Sequence, residues 1–196
     1  MDPPTMTLSL RRDDLALRYF DPTQSLIIPA SIEGQPIRIV KPSILPLAAP
    51  LQRLVEPWEE LHGEFTLYTL PDQPAIQPQF PANIDFDGQL VFMGHDVVEG
   101  CEPGVRCEIM TYWRVIDPTG EPLRVFLHAV DGTGERIGQD DRLGAPAEHW
   151  RTGDIVMQLL ALDTTAAEMR LGVYNPVERR RLITEAGEEF IILSGD

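Results

Sequence analysis

The second half of the chain alternates short apolar runs with turn sequences. Turns such as Asp117-Pro-Thr-Gly120 and Asp131-Gly-Thr-Gly134 separate runs that carry no helical period. Short strands at regular spacing, with turns between them, are typical of two packed antiparallel sheets. The pattern predicts a mainly β fold, an antiparallel β-sandwich of immunoglobulin-like or jelly-roll-like type, with Trp113 facing the interior. The predicted strands are 89–93, 105–115, 123–130, 136–139, 155–162, 168–174, 181–184 and 189–193.

The first part of the chain predicts shorter and more mixed elements. Apolar residues recur at helical spacing between Leu47 and Val55, which predicts a helix over 47–56. Residues 71–83 contain four prolines, which indicates a linker or an extended crossover. The predicted strands of this part are 15–20, 25–28, 36–40 and 64–70. The predicted organisation is a small α/β segment at 1–70, a proline-rich linker at 71–83 and a β-sandwich domain at 84–196.

Composition and charge narrow the classes of function. Hydrophobic residues make up 43% and charged residues 24% of the chain, which is typical of a globular protein. Sixteen basic and 31 acidic residues give a net charge of −15. The electrostatic field of this negative charge would repel nucleic acid, so we expect no nucleic-acid partner. The sequence shows neither a transmembrane window nor a signal peptide, which predicts either a cytoplasmic chain or a fragment of a larger protein.

Two cysteines, Cys101 and Cys107, flank the turn dipeptide Pro103-Gly104. This spacing allows a disulfide, and it equally allows two free thiols beside a hairpin end. A disulfide would favour an oxidising compartment. We predict no metal site, because a zinc site would need two further ligands at suitable spacing.

The densest group of polar residues lies between residues 128 and 154. One interpretation pairs Asp140 or Asp141 with a second carboxylate, as the acid and base of a hydrolase. The other treats the aspartates as turn residues and His128 as a buried histidine with a carboxylate or carbonyl partner. The sequence has no phosphate-binding loop and no nucleophile elbow, so we assign no catalytic residue and expect no cofactor. The predicted structural polar network is His128, Asp131, Gln139 and Asp141.

Three further residues suggest a platform for a sugar ring. Tyr112, His149 and Trp150 carry rings, and Trp150 follows a loop of the kind that often bears binding residues. The alternative is that Trp150 closes one end of the sandwich. These residues are candidate glycan-binding residues on the first interpretation only.

Short motifs in a fixed order carry a family resemblance. The motifs are Gly94, Met110-Thr-Tyr-Trp113, Phe126-Leu-His128-Ala-Val-Asp131 with Gly134, Gln139-Asp-Asp141, Trp150-Arg-Thr-Gly153-Asp154, Leu171-Gly-Val-Tyr174 and Arg181-Leu182. Over roughly residues 84–194, the chain resembles the extracytoplasmic C-terminal β-sandwich of bacterial membrane glycosyltransferases of the dolichyl-phosphate-mannose–protein mannosyltransferase type. Arg18-Tyr-Phe-Asp21, followed by Ser25-Leu-Ile-Ile-Pro29, resembles the segment that precedes that sandwich.

The resemblance implies a role within a larger protein. Such enzymes move a sugar from a polyprenyl-phosphate donor, and their catalytic carboxylates lie in loops between membrane helices, outside this segment. The chain is therefore expected to be a non-catalytic accessory module on the extracytoplasmic face of the membrane. Its partners would be the membrane-embedded domain of the same polypeptide and a glycan or glycosylated acceptor. The alternatives are a free-standing carbohydrate-binding module, a structural or partner-docking domain, and a carboxylate-pair hydrolase.

Overall fold

The computed structural model describes residues 16–101, 106–163 and 168–193, which are mostly β-strand. No helix in these ranges is long and apolar enough to cross a membrane. The helices are α1 (Ala49–Val55) and two 3₁₀ turns at Glu56–Trp58 and Ala147–His149. The strands are β1 (Ser25–Ile28), β2 (Ile37–Pro42), β3 (Glu59–His62), β4 (Phe65–Leu70), β5 (Phe80–Phe86), β6 (Leu90–Glu99), β7 (Cys107–Val115), β8 (Arg124–Val130), β9 (Arg136–Arg142), β10 (Ile155–Leu162), β11 (Glu168–Asn175), β12 (Arg180–Arg181) and β13 (Ile191–Leu193).

The strands form three antiparallel sheets. The central sheet has the order β1-β10-β7-β6-β5. The outer sheet has the order β12-β11-β8-β9, and β13 also pairs with β11. The N-terminal sheet has the order β2-β4-β3. The central and outer sheets share one hydrophobic core, so the prediction of a mainly β fold with an antiparallel sandwich is confirmed.

The central strands β7 and β10 are buried on both faces of the sheet. One face packs on the outer sheet and carries Trp113, which is 1% exposed, so the predicted interior position of Trp113 is confirmed. The other face carries Tyr112 and Met157, and it packs on α1 and the N-terminal sheet through Leu51 and Tyr68. A strand that is covered on both faces has no solvated side. This explains why β10 is apolar at nearly every position.

Two strands cross the boundaries that the sequence predicts. β1 comes from the predicted N-terminal segment but pairs with β10 in the central sheet. β5 begins at Phe80, inside the predicted 71–83 linker, and pairs with β6. Proline is tolerated there because β5 is an edge strand, and Pro81 lies beside a register shift. Because of its proline content, this region was predicted as a linker although it contains the start of β5.

Three smaller elements also differ from the prediction. Residues 16–20 of the predicted 15–20 strand form no strand, and Leu15 lies outside the described residues. β3 has four exposed residues without apolar alternation, so only its pairing with β4 makes it a strand. β12 is shorter than predicted because the chain enters a turn in which the Gly187 amide donates to the Thr184 carbonyl at 2.8 Å.

A buried ion pair fixes the residues before β1 against the start of β10. Arg18 donates from Nε to Asp154 Oδ2 at 2.7 Å and from Nη2 to Oδ1 at 2.9 Å. The Asp154 carboxylate also accepts the backbone amides of Ala30 at 3.1 Å and Arg151 at 2.9 Å. Its side chain is 0% exposed, so each of these bonds replaces water that the carboxylate has lost. Asp154 thus ties three separate segments together.

Asp154→Ala should lower the free energy of unfolding by about 3–5 kcal/mol, because it leaves the Arg18 guanidinium buried without its counter-charge. Urea denaturation measures this loss. The control is Asp163→Ala, since the Asp163 side chain is 87% exposed and its contact with Arg106 is 3.6 Å long. We expect that variant to change stability by less than about 1 kcal/mol. Equal losses in the two variants would contradict the role assigned to Asp154.

Cys101 and Cys107 form a disulfide, with their Cα atoms 4.4 Å apart. Of the two alternatives that the sequence leaves open, the structure has the bonded one. The bond joins the first residue of β7 to the segment that follows β6. The predicted turn at Pro103-Gly104 lies outside the described residues.

Replacing both cysteines by serine should lower the free energy of unfolding by about 2 kcal/mol, since a short closed loop restricts the unfolded chain to that extent. Guanidinium denaturation of the double variant, and of the unchanged protein with and without reductant, measures the effect. The reduced protein should match the variant. A reductant-insensitive transition in the unchanged protein would show that the disulfide contributes no stability.

Candidate functional site

The outward face of the outer sheet brings together residues from four strands. Side chains alternate along β8, so Phe126, His128 and Val130 point away from the sandwich core. On β9, Asp141 lies opposite Phe126. Gln139, also on β9, lies opposite His128 of β8. The same face receives Arg170, Gly172 and Tyr174 from β11 and Arg181 from β12.

Phe126 is buried although it faces outward. It is only 2% exposed, because its ring lies over Gly172 of the neighbouring strand. A Cβ atom at Gly172 would stand 2.4 Å from the Phe126 Cζ atom, so a larger residue does not fit there. Arg181 covers the ring with its guanidinium carbon 5.1 Å from the ring centroid, at cation–π distance. The ring therefore forms a fixed apolar floor on this face.

Next to this floor, His128 and Asp141 form a polar pair. The His128 Nε2 and Asp141 Oδ1 atoms are 3.2 Å apart. Burial lowers the pKa of His128, and the charges of Arg136 and Arg181 lower it further, although Asp141 acts in the opposite direction. Burial, and then the charge of Asp141, raises the pKa of Tyr174, which is hydrogen-bonded to the same carboxylate. The imidazole is therefore neutral and Tyr174 is protonated at neutral pH.

A groove of about 190 Å³ opens on this face. The guanidinium carbon of Arg170 lies 4.7 Å from the Phe190 ring centroid, and its Nε donates to Glu168 at 2.5 Å. Arg181 donates from Nη1 to Glu189 at 2.8 Å. A guanidinium has five N–H donors, so further donors of both arginines remain for a ligand. We call this the arginine groove, and its lining residues are Phe126, His128, Val130, Gly134, Arg136, Arg170, Arg181 and Phe190.

Of the eight lining residues, only His128 was among the site residues that the sequence predicts. The residues that were missed include the three arginines, Arg136, Arg170 and Arg181, and the ring of Phe190. Alternation along a strand shows that Arg170 is on one face, but only the register between β8 and β11 shows that it lies opposite His128. Arg136 forms no ion pair with the residues that the structure describes. The sequence carries no signal for the register between β8 and β11.

The structure places three of the four predicted network residues on the outward face. His128, Gln139 and Asp141 are together there, whereas Asp131 lies in the turn between β8 and β9. The Asp131 Oδ1 atom accepts the backbone amides of Thr133 at 2.8 Å and Glu135 at 3.0 Å. Hydrogen bonds from the Thr133 side chain and backbone lower the pKa of Asp131. Asp131 thus shapes the turn and is not part of the network.

Asp140 and Asp141 do not form a carboxylate pair. Asp140 lies opposite Leu127 on the inward face, where it is 6% exposed and accepts the Ala161 amide at 2.8 Å. Asp141 points outward. No acidic residue is among those that line the arginine groove, and the carboxylates at its margin, Glu168 and Glu189, each bind an arginine. This arrangement gives the carboxylate-pair hydrolase no support.

Tyr112, His149 and Trp150 do not form a common platform. Tyr112 lies in the core beside α1, where its hydroxyl donates to Asp96 at 2.6 Å, and burial raises its pKa. Trp150 is 6% exposed in the sandwich core, beside a cavity of about 10 Å³. That volume admits about one water molecule and no sugar ring. His149 is exposed and packs edge-on against Tyr19 with ring centroids 4.8 Å apart, so the three predicted glycan contacts point to different places.

The low pKa of His128 has a consequence for stability. In the unfolded chain this imidazole takes up a proton near its ordinary pKa of 6.5, and in the folded protein only at lower pH. The unfolded state therefore binds more protons in this window, so the free energy of unfolding should fall as pH decreases below about 6.5. Chemical denaturation from pH 7 to pH 5 should show a shallower decline for His128→Gln. His149→Gln, which changes an exposed imidazole outside the groove, is the control, and equal slopes for all three proteins would contradict this account.

The comparisons with known proteins give no relative for this chain. No family model, no curated protein and no solved structure matches it. The residues of the arginine groove and the motifs in the sequence are therefore the basis for a functional proposal.

Proposed function

We propose that this chain is a non-catalytic, extracytoplasmic accessory module of a membrane glycosyltransferase that uses a lipid-linked sugar donor. Its arginine groove holds a polar ligand, a glycan or a glycosylated acceptor. The partner is the membrane-embedded domain of the same polypeptide, which carries out the transfer. The module contributes affinity and orientation for the acceptor, and the chemistry takes place elsewhere.

One observation carries this proposal: motifs that are far apart in the sequence meet on one face. The Phe-x-His motif supplies Phe126 and His128, and the Gln-x-Asp motif supplies Asp141. The Leu-Gly-Val-Tyr motif supplies Gly172, whose missing side chain leaves room for the Phe126 ring. Arg181, from the Arg-Leu motif, covers that ring. The motifs that underlie the resemblance thus build the floor and one side of the arginine groove.

The chemistry of the groove favours binding over catalysis. His128 is engaged by Asp141, and the groove is lined by no serine, cysteine or carboxylate that could act as a nucleophile. Its aromatic rings and N–H donors are the groups that recognise polar rings and hydroxyls. In addition, the Cys101–Cys107 disulfide is typical of proteins in oxidising compartments, which supports an extracytoplasmic position.

Titration of the purified chain with a panel of neutral and acidic oligosaccharides, followed by NMR, tests the proposal. We expect chemical-shift changes confined to β8, β9, β11 and β12. Arg181→Gln should weaken binding about tenfold, which corresponds to the loss of one charged hydrogen bond. Arg38→Gln, which changes an exposed arginine of the N-terminal sheet, should leave the affinity unchanged.

Three results would contradict the proposal. Binding that Trp150→Ala removes and Arg181→Gln does not would favour a carbohydrate-binding module with its site at Trp150. Turnover of activated glycosides that Asp141→Ala abolishes would make the chain a hydrolase. The absence of binding to every saccharide would favour a structural or partner-docking domain. Circular dichroism of each variant verifies that it is folded.

A further inference from the structure

The charge of the arginine groove contrasts with that of the whole chain. The chain carries a net charge of −15, yet three of the eight lining residues are arginine and none is acidic. A concave site lined by one sign of charge concentrates ions of the other sign. The carboxylates of Glu168 and Glu189 stand at its margin, where each binds one arginine. The opening itself presents N–H donors.

One donor of the groove, Arg170, is already held in place. Arg170 stacks on Phe190 and is bound by Glu168 through its Nε, which leaves its terminal nitrogens for a ligand. Arg136 enters the same groove without an ion pair to any residue in the described ranges. Planar guanidinium groups bind carboxylate and phosphate oxygens through two parallel hydrogen bonds. A side chain that is fixed before binding loses less entropy when the ligand arrives.

The size of the groove and the protonation state of His128 indicate what kind of molecule would carry an anionic group into it. A volume of about 190 Å³ is below the roughly 300–1,000 Å³ of sites for drug-sized ligands, so it suits one ring. His128 is neutral at pH 7 because burial lowers its pKa. With Nε2–H directed at Asp141, its Nδ1 is an acceptor for a ligand hydroxyl. Phe190 contributes an apolar ring to the lining, and Arg170 covers one of its faces.

We propose that the arginine groove binds a sugar that carries an anionic group, a carboxylate or a phosphate. The anionic group is bound by the guanidinium of Arg136 and the terminal nitrogens of Arg170, and the ring lies beside Phe190. This inference rests on the proposed function and adds the charge of the ligand, which the motifs do not specify. A carboxylate and a phosphate have in common that each would present an oxyanion on a single sugar ring.

Calorimetric or NMR titration with four small probes at low ionic strength tests this inference. The probes are methyl glucuronide, methyl glucoside, glucose 6-phosphate and inorganic phosphate. We expect the glucuronide or the sugar phosphate to bind at least about tenfold more tightly than the glucoside, with an advantage that falls as salt is added. Whichever of these two probes binds more tightly identifies the oxyanion.

Variants of one exposed arginine locate the contact. Arg136→Gln should weaken binding of the anionic sugar by a factor of about 10 to 100, and it should weaken binding of the glucoside, which has no oxyanion to lose, by a clearly smaller factor. Arg136→Lys keeps the charge and loses the paired donors, so its effect should be intermediate. Arg38→Gln serves again as the control, since Arg38 is exposed on a different sheet.

The outcomes separate the two proposals. Equal affinity for the glucuronide, the sugar phosphate and the glucoside would overturn the anionic ligand and leave the glycan-binding module standing. Inorganic phosphate that binds as tightly as the tighter of the two anionic sugars would overturn the sugar, because the ring would add nothing. An anionic sugar that binds with the same affinity to Arg136→Gln would overturn the assigned site. Failure of all four probes and of the oligosaccharide panel would overturn both proposals.

Discussion

The burial of β7 and β10 on both faces of the central sheet constrains the rest of the structure. A strand between two packed layers can carry a polar side chain only if a hydrogen bond satisfies it. Thr111 fulfils this condition, since its Oγ1 donates to the Gln158 carbonyl at 3.0 Å and accepts the Trp113 indole N–H at 3.0 Å. The polar groups of this layer are thus engaged with one another. Polar side chains that are available to a ligand therefore lie at the ends and edge of this layer, as Arg114 and Asn83 do, or on the layers outside it.

The outer sheet meets this condition through one unusual packing arrangement. Gly172 lets the Phe126 ring lie flat on the outward face, and the ring in turn supports His128 and Arg181. Apolar support of this kind holds charged groups in fixed positions without a second packed layer. The outward face therefore carries ordered charges around an apolar floor, although the sheet packs its other face into the sandwich core. The arrangement of the groove therefore depends on the absence of a side chain at Gly172.

The sequence predicts the class of fold because alternation and turn residues are local signals. The strands of the sandwich, the helix near Leu51 and the interior position of Trp113 all follow from such signals. The pairing of β1 with β10, the edge strand β5 and the groove do not, because each depends on register or on a distant partner. His128 and Asp141 were predicted as a polar network, but the arginines around them become visible only when β8, β9 and β11 are aligned. Trp150 was a candidate platform for a sugar ring, but contacts with residues distant in the sequence bury it in the core.

The long connection between β1 and β10 affects how the molecule is made. The Ser25 hydroxyl donates to the carbonyl of Met157, which follows it by 132 residues. On a ribosome, β1 emerges well before β10, because 132 residues separate Ser25 from Met157, so the central sheet cannot be completed until those residues have been translated. Contacts this distant slow folding, and an unpaired apolar strand favours aggregation until it is covered. Nascent chains of this protein should therefore depend on chaperones for longer than their short individual strands suggest.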